Sequence, residues 1–416
     1  MRSPILLSVV LGLASCAHDS WSYTIDGVTA RHTWSDGTTT VFEDSSFESR
    51  RQVRVEGMVD LSEDGSDLRL LGSGASFAVR EEADGRTRLL EASRAADGST
   101  RFRYTEEGAE TEYGEEARAW FAGVVADLHR ETWVGAEARA ARLMASGGVE
   151  AVVAAAGQTE SGTAVGIYFE AALSSPDLEP SDAVRLVETA EGLVSSSSSM
   201  QGLLERAAAF APQDDALTRA VLSAAERVSS SHSQGEVLEA VVPRLSAATA
   251  ADFYRAAAPI SSTSTRESVL VASLDAPLPT PVLAPGYLEA TNGISSSHSQ
   301  GKALDALWTR GGLDEAGRLG WVASAGLVSS TSTRQELFVE FFRSCPDDGA
   351  ALSAALEAVG AISSSHSQGA CLEAFLARPR LTKELLRAAE PVIRGISSTT
   401  TRSALQEQLL ERLFAL

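Results

Sequence analysis

The heptad Ile-Ser-Ser-Ser-His-Ser-Gln at residues 294–300 decides the architecture, because variants of it recur throughout the C-terminal half of the chain. Successive heptads begin 34 residues apart, except for one step of 32. A fixed period of this length is typical of a solenoid, in which each supersecondary unit stacks on the next. The seven heptads lie at residues 194–200, 228–234, 260–266, 294–300, 328–334, 362–368 and 396–402.

Each repeat is predicted to be a hairpin of two helices. With the leading Val or Ile numbered zero, apolar residues recur at positions nine, ten, thirteen and fourteen, for example Val237, Leu238 and Val241. Apolar pairs four residues apart form one stripe of a helix with about 3.6 residues per turn. A second helix is predicted after each stripe, for example over residues 247–258 and 349–361, with prolines between the two helices as breakers.

The serines of the heptad have a structural explanation. A Ser just before an apolar-periodic run is a good N-cap, because its oxygen accepts a backbone N–H of the first helical turn. A functional alternative also exists, since stacked repeats align many helix N-termini, whose partial positive charge suits anions or acidic peptides. We favour the structural role.

The later heptads alternate between two kinds. We call the repeats that begin at residues 228, 294 and 362 His-type, and those that begin at 260, 328 and 396 Arg-type. Neighbouring repeats lie about 8–10 Å apart, so the alternation either separates like charges or lets His and Gln interleave with Thr and Arg as a hydrogen-bonded ladder. Position four holds His232, His298 and His366, and position six holds Gln234, Arg266, Gln300, Arg334, Gln368 and Arg402.

No signature of catalysis or metal binding stands out in the sequence. Phosphate loops, dinucleotide fingerprints, HExxH and GxSxG motifs do not occur. The repeat histidines occupy every second repeat and are therefore expected about 20 Å apart, whereas the ligands of one ion lie about 2 Å from it. We therefore predict neither a metal nor a cofactor and expect a protein that is not an enzyme.

Composition and charge narrow the classes of partner. The chain has 416 residues, room for two or three domains, and a formal net charge of −21. Phosphate recognition needs a basic face, so this charge argues against nucleic-acid binding. It favours solubility or a basic protein partner over direct docking on anionic lipid.

The N-terminus resembles the signal of a bacterial lipoprotein. A positive start at Arg2 precedes an apolar stretch over residues 5–14, which is too short to span a bilayer as a helix. The following Leu-Ala-Ser-Cys resembles a lipobox, and this resemblance implies cleavage before Cys16 and its diacylation. Ala17 after the cysteine favours the outer membrane facing the periplasm. The alternative is an ordinary secretory signal that is cleaved near Ala17.

The two remaining cysteines are expected to be free thiols. Cys371 occupies position nine, a slot filled elsewhere by Val237 or Leu337, and is therefore predicted to be a core residue. Cys345 lies at position seventeen of the previous repeat, about 12 Å further along the helix direction. Bridged cysteines need Cα atoms within about 7 Å of each other.

Residues 16–113 are predicted to form a β-rich domain. Asp-Gly pairs at 26–27, 36–37, 64–65, 84–85 and 97–98, with Glu-Gly at 107–108, separate runs of alternating polarity. This pattern is typical of consecutive hairpins and predicts an antiparallel meander, as a sandwich or as one curved sheet whose inner face needs a cover. The amphipathic helix predicted over residues 115–129 is a candidate cover.

The remaining boundaries follow from the repeat. Residues 114–158 are predicted to be connecting and capping helices, and residues 159–416 a solenoid of about seven or eight two-helix repeats whose first member is degenerate. The fold class is thus α+β and multidomain. At the far end, Leu413, Phe414 and Leu416 are expected to form either a cap or an exposed apolar tip.

The two-helix repeats resemble HEAT-like α-solenoids, although the 34-residue length equals that of tetratricopeptide repeats, whose residue pattern is absent. The Ile-Ser-Ser heptad followed by a Leu-rich helix also resembles a repeat of bacterial envelope lipoproteins with a β-rich N-terminal portion. The resemblance covers residue 115 to the end. It implies an interaction scaffold and brings no catalytic residue.

The sequence therefore predicts a lipid-anchored envelope protein that binds another protein through its solenoid, on the concave face. The alternatives are a regulator, inhibitor or accessory subunit of an envelope enzyme such as a membrane-bound peptidase, and an enzyme whose site lies in the β-rich domain. The candidate partner-binding residues are those of positions four and six, namely Arg266, Arg334, Arg402, Gln234, Gln300, Gln368, His232, His298 and His366.

Overall fold

A computed structural model describes residues 20–415, apart from 26–27, 36–38, 46–48, 63–67, 176–177, 195 and 211–213. The predicted lipidation site, Cys16, lies outside the described residues. The chain divides into two compact parts, with the boundary between Ala172 and Leu173. The N-terminal part holds an antiparallel sheet and the C-terminal part a helical array, so the predicted α+β class with a C-terminal α-solenoid is confirmed.

The sheet of the N-terminal part is a simple meander. Its eight described strands pair antiparallel with their neighbours in chain order, as the recurrent turn signals predict. The long β4 and β5 pair with a register shift at Gly57, where the backbone takes a positive φ of 70°. The strands are β1 Ser20–Ile25, β2 Val28–Ser35, β3 Thr39–Ser45, β4 Ser49–Leu61, β5 Leu68–Ala83, β6 Arg86–Arg94, β7 Thr100–Glu106 and β8 Ala109–Thr111.

Two of the predicted hairpin turns have the backbone that their residues favour. Asp84 and Gly85 both take positive φ, as do Glu107 and Gly108. Two successive positive φ angles define the type I′ turn, whose twist matches that of the flanking strands. The predicted turns at 26–27, 36–37 and 64–65 lie outside the described residues.

A helix covers the inner face of the sheet, as the amphipathic pattern predicts. α1 spans Glu115–Glu131 and buries Phe121, Val124 and Leu128 against sheet residues such as Phe77, whose ring lies edge-on to that of Phe121 at 5.7 Å. Full burial of one such side chain stabilises the fold by about 1.5–3 kcal/mol. The sheet and α1 therefore share one hydrophobic core.

The helices after α1 are connected by short loops. The helix bounds expected from the repeat agree approximately with the structure. The helix expected over residues 247–258 spans Ala250–Ala257, and the one expected over 349–361 spans Gly349–Gly360. The helices are α2 Ala136–Ala156, α3 Gly162–Leu173, α4 Pro180–Leu193, α5 Ser197–Ala209, α6 Asp215–Glu226, α7 Ser231–Val241, α8 Ala250–Ala257, α9 Thr263–Ser273, α10 Thr280–Asn292, α11 Ser297–Arg310, α12 Glu315–Leu327, α13 Thr331–Ser344, α14 Gly349–Gly360, α15 Ser365–Leu376, α16 Lys383–Gly395 and α17 Thr399–Phe414.

The C-terminal part stacks these helices in two layers. The first layer contains the odd-numbered helices from α5 to α17, each of which packs on the next odd-numbered helix. The second layer contains the even-numbered helices from α4 to α16, which pack in the same way. Positions nine and ten of the heptad numbering point between the layers, where Val237, Leu238, Leu337 and Phe338 are buried. This is the stacked hairpin arrangement that the 34-residue period predicts.

The cysteines and the last helix have the surroundings expected of them. Cys345 and Cys371 are free and buried, and burial raises the pKa of each thiol, to about 11 for Cys345 and about 12 for Cys371. Of the three residues expected to form a cap or an apolar tip, Phe414 is almost completely exposed, Leu413 is half-buried, and Leu416 lies outside the described residues. Leu410 of α17 is also exposed. Among the described residues, every helix is too short or too polar to cross a membrane.

Candidate functional site

The second serine of every heptad is an N-cap. In all seven repeats its hydroxyl oxygen accepts the backbone N–H three residues later, at 3.2–3.4 Å. The structural explanation of these serines is therefore confirmed. The residues are Ser196, Ser230, Ser262, Ser296, Ser330, Ser364 and Ser398.

The N-terminal ends of neighbouring first-layer helices are joined by serine hydroxyls. In each His-type repeat the serine at position three hydrogen-bonds the serine at position one of the next repeat, as Ser297 does with Ser329 at 2.6 Å. Its oxygen also accepts the backbone N–H of the following residue, Ser330, at 3.2 Å. The corresponding pairs Ser231–Ser261 and Ser365–Ser397 repeat both contacts. These hydroxyls are thus occupied within the fold.

The alternation of repeat types has a steric reason. A His-type repeat carries Gly at position seven, and the γ-methyl group of the following repeat's Thr at position five lies where a Cβ would be. A Cβ on Gly235 would meet Thr265 Cγ2 at 2.5 Å, and one on Gly369 would meet Thr401 Cγ2 at 2.7 Å. Where position seven is larger, as in Glu267, position five of the next repeat is the smaller Ser299. Large and small residues therefore alternate along the stack.

Position six faces the fold rather than solvent. Gln234 and Gln368 are buried, and each donates to a carbonyl oxygen near the C-terminal end of a second-layer helix at 3.0 Å. Gln234 reaches Ala256 O of the following helix α8, whereas Gln368 reaches Gly360 O of the preceding helix α14. Gln300 is also buried. The side-chain hydrogen bonds of Gln234 and Gln368 go to the backbone, so a ladder between Gln and Arg does not explain the alternation.

The position-six arginines behave similarly. Arg266 donates to the carbonyl oxygens of Ile260 and Gly293, and burial lowers its pKa. Arg402 donates to Ile396 O at 3.1 Å, and Arg334 is half-buried. Only a fraction of each guanidinium is therefore available to a partner.

A second set of arginines, at position sixteen of the repeats, makes structural contacts that were not predicted from the sequence. Arg378 is buried and donates to Phe342 O and Cys345 O, at the C-terminal end of α13, and to Asp347. Arg310 binds Ala276 O and Leu278 O in the same way after α9. Arg244 and Arg412 repeat the contact with Ala209 O and Arg378 O. The recurrence of Arg at 244, 310 and 378, two repeats apart, is the sequence signal for these contacts.

Position four of the heptad is exposed in all seven repeats. His232, His298 and His366 are exposed in the His-type repeats, as are Ser264, Ser332 and Thr400 in the Arg-type repeats. His232 lies 3.8 Å from the carboxylate of Glu236, one turn further along α7. The structure therefore presents the predicted histidines along the first layer and withdraws most of position six from solvent.

Two carboxylates lie close together in the N-terminal part, and both form ion pairs with the same arginine, Arg51. Glu81 is buried and binds Arg51 at 2.6 Å and the indole N–H of Trp120 at 2.7 Å. Asp127 of α1 binds the same guanidinium at 2.7 Å. Burial opposes the charge of Arg51, yet the hydrogen bonds to Asp127 and Glu81 outweigh it and raise its pKa. This cluster fastens α1 to the sheet.

Comparison with known proteins adds no family: no family model and no curated protein matches this chain.

Proposed function

We propose that this protein is a non-enzymatic, lipid-anchored scaffold of the bacterial cell envelope that binds another protein through its helical repeats. The observation that supports this most directly is the exposed face of the first layer. There, seven consecutive repeats keep their cap serines within the fold and present position four to solvent. The three His-type repeats also use the serine hydroxyl at position three to bridge to the next repeat. Stacked repeats are a common way to build an extended binding surface.

The contacts of the heptad also select the candidate residues. Because Arg266 and Arg402 at position six donate to backbone carbonyls, replacing these arginines disturbs the fold as well as any binding. The histidines of position four are exposed, and the Arg-type repeats carry Ser or Thr at the same place. A His→Ser substitution at position four therefore introduces a side chain that already occurs at the same position in the Arg-type repeats.

The lipid anchor is a separate element of the proposal. It depends on the lipobox-like sequence that ends at Cys16. Two acyl chains on that residue would hold the protein firmly at a membrane, since each buried CH₂ contributes about 0.8 kcal/mol. We expect wild-type protein in the membrane fraction and a Cys16→Ser variant in the soluble fraction. A variant that still partitions with membranes contradicts the anchor.

Photo-crosslinking in cells tests the binding surface. A photoreactive residue at Ser264 or Ser332, exposed in the first layer, is expected to give a discrete adduct with a partner protein. The same residue at Ser223 or Ser353, exposed in the second layer, serves as the matched control. Adducts that form only from the second layer, or from neither layer, contradict the proposed surface.

The histidine row provides a second, independent readout. A triple variant, His232→Ser, His298→Ser and His366→Ser, is expected to weaken the adduct at Ser332 without changing the helical content measured by circular dichroism. If the adduct at Ser332 is unchanged in this variant, the histidines of position four do not contribute to partner binding.

A further inference from the structure

The exposed band of the first layer is strongly acidic. We define this band as positions eight, eleven and twelve of the seven repeats. Its cations are Arg206 and Lys302, and Lys302 already pairs with Glu267 at 3.4 Å. Its carboxylates are Glu205, Glu236, Glu239, Asp305, Glu336, Glu340, Glu373 and Glu407.

Three first-layer arginines outside the band are directed to the backbone instead of to its carboxylates. Arg266, Arg310 and Arg402 lie at the helix ends and donate to backbone carbonyls. The second layer differs, since several of its carboxylates pair with arginines of adjacent helices. These pairs are Arg227–Glu191, Arg219–Asp252, Arg255–Glu226 and Arg318–Asp348, at 2.7–3.4 Å. Second-layer charges therefore join repeats, whereas six of the eight carboxylates of the band are exposed. The other two, Glu205 and Glu239, are half-buried, and Glu205 accepts a hydrogen bond from Gln201 of its own helix at 2.8 Å.

Like charges also crowd within the band. Partial burial, and then the nearby carboxylate of Glu236, raise the pKa of Glu239. A cation supplied from outside relieves this repulsion. Between the carboxylates, position twelve is often Ala, as in Ala240, Ala272, Ala306 and Ala374, all half-buried. These short side chains leave room for the aliphatic stems of long basic residues.

We infer that the acidic band of the first layer binds a Lys- or Arg-rich segment of the partner protein. This inference rests on the proposed scaffold function and specifies the chemistry of its partner. Complementary charge speeds encounter and selects among partners, because a like-charged surface is repelled. A basic segment laid across several repeats meets one or two carboxylates in every repeat except the one that begins at residue 260, and neighbouring repeats lie about 8–10 Å apart.

A peptide-binding measurement tests the inference. The full chain carrying Cys16→Ser is titrated into a fluorescent peptide of alternating Lys and Ala, and the Kd is read from anisotropy at low salt. The test variant carries Glu239→Gln, Asp305→Asn and Glu373→Gln in the band. The control variant carries Glu188→Gln, Glu289→Gln and Glu357→Gln, which are exposed in the second layer and change the net charge equally. Thermal melts verify that both variants are folded.

We expect about a tenfold rise in Kd for the band variant and less than about a twofold rise for the control, since each lost surface pair has a modest effect. Equal weakening of both variants shows that the peptide responds only to the overall negative charge, and overturns the inference. Unchanged binding by the band variant overturns it too. Either result leaves the scaffold proposal standing if the crosslinks at Ser264 and Ser332 form, so the two failures are distinguishable.

Discussion

Two kinds of interface hold the helical repeats together, and they differ in where their polar contacts lie. From a His-type repeat to the next Arg-type repeat, the contacts gather at the N-terminal helix ends, where a serine bridge accompanies a threonine methyl group packed on glycine. From an Arg-type repeat to the next His-type repeat, an arginine at position sixteen, the half-buried Arg310 or the buried Arg378, reaches the carbonyls at the C-terminal helix end. Arg412 adds such a contact at the last His-type to Arg-type step.

The comparison shows that one helical hairpin can stack through two different chemistries. N-caps and apolar stripes are the same in both repeat types, so each hairpin is stable locally for the same reasons. The difference lies in shape and in hydrogen bonding across the interface. A Gly accommodates the Thr that follows it, and an Arg satisfies carbonyls that a helix end leaves without partners. The pair of repeats is therefore the structural unit.

Removing the buried arginine is expected to have the largest effect. Arg378→Ala leaves the carbonyl oxygens of Phe342 and Cys345 without a charged donor in a buried place, which we expect to lower the stability of the helical part by about 3 kcal/mol. Urea unfolding followed by helical circular dichroism measures the change. Arg380→Ala, whose side chain is 84% exposed, is the control and should change stability by less than about 0.5 kcal/mol. If Arg378→Ala and Arg380→Ala lowered stability by similar amounts, the buried arginine would not be what stabilises this interface.

Filling the glycine of the other interface is expected to have the next largest effect. Gly235→Ala places a Cβ against Thr265 Cγ2, and we expect destabilisation by about 1–2 kcal/mol, because overpacking outweighs the better helix propensity of Ala. In a Thr265→Ser background the same substitution should be neutral or stabilising. A double-mutant cycle from the same unfolding experiment measures this coupling.

Gly192→Ala is the control for that cycle, since nothing lies within 4 Å of the added Cβ. It should be neutral or stabilising in any background. A Gly235→Ala variant that behaves identically, with no dependence on residue 265, would refute the steric explanation of the alternation.

The caps should act equally in both repeat types. Ser330→Ala in an Arg-type repeat and Ser364→Ala in a His-type repeat each remove one acceptor from a helix N-terminus, and each is expected to lower stability by about 1 kcal/mol. Ser268→Ala, exposed within α9, should stay within about 0.5 kcal/mol of wild type. A loss confined to one repeat type would mean that the caps also depend on the interface.

The smallest expected effect concerns the acidic band. Partial burial and Glu236 raise the folded-state pKa of Glu239, so its ionised form is disfavoured by folding. Glu239→Gln should therefore raise the melting temperature slightly at pH 7. As the pH falls below the unfolded-state pKa of a Glu, near about 4.3, both states bind the proton and the gain should vanish. A gain that persists at low pH would point to packing instead of charge.

Much of the fold follows from local signals in the sequence. The heptad period, the serine caps and the stripe at positions nine, ten, thirteen and fourteen predict the two-layered repeats, and the alternating runs with Asp-Gly turns predict the meander and its covering helix. Cys371 is placed in the core by its repeat position alone. Each of these inferences depends on residues that are near in sequence, or on comparing equivalent positions of consecutive repeats.

The local sequence pattern did not predict which polar side chains of the heptad are exposed. Positions four and six look alike in the sequence, since both alternate and both are polar. The structure separates them, because His298 is exposed whereas Gln300, two residues later, is buried. Partner binding through His232, His298 and His366 remains a prediction.

The sequence by itself determined that this chain folds into stacked helical hairpins after a β meander, since caps, turns and apolar periodicity act within a few residues. Only the tertiary structure decided why the repeats alternate and which polar side chains reach solvent. The reason is physical: the Gly235–Thr265 contact and the bonds from Arg378 to α13 join residues 30 or more positions apart. Their geometry depends on how two helices pack, which no local pattern specifies.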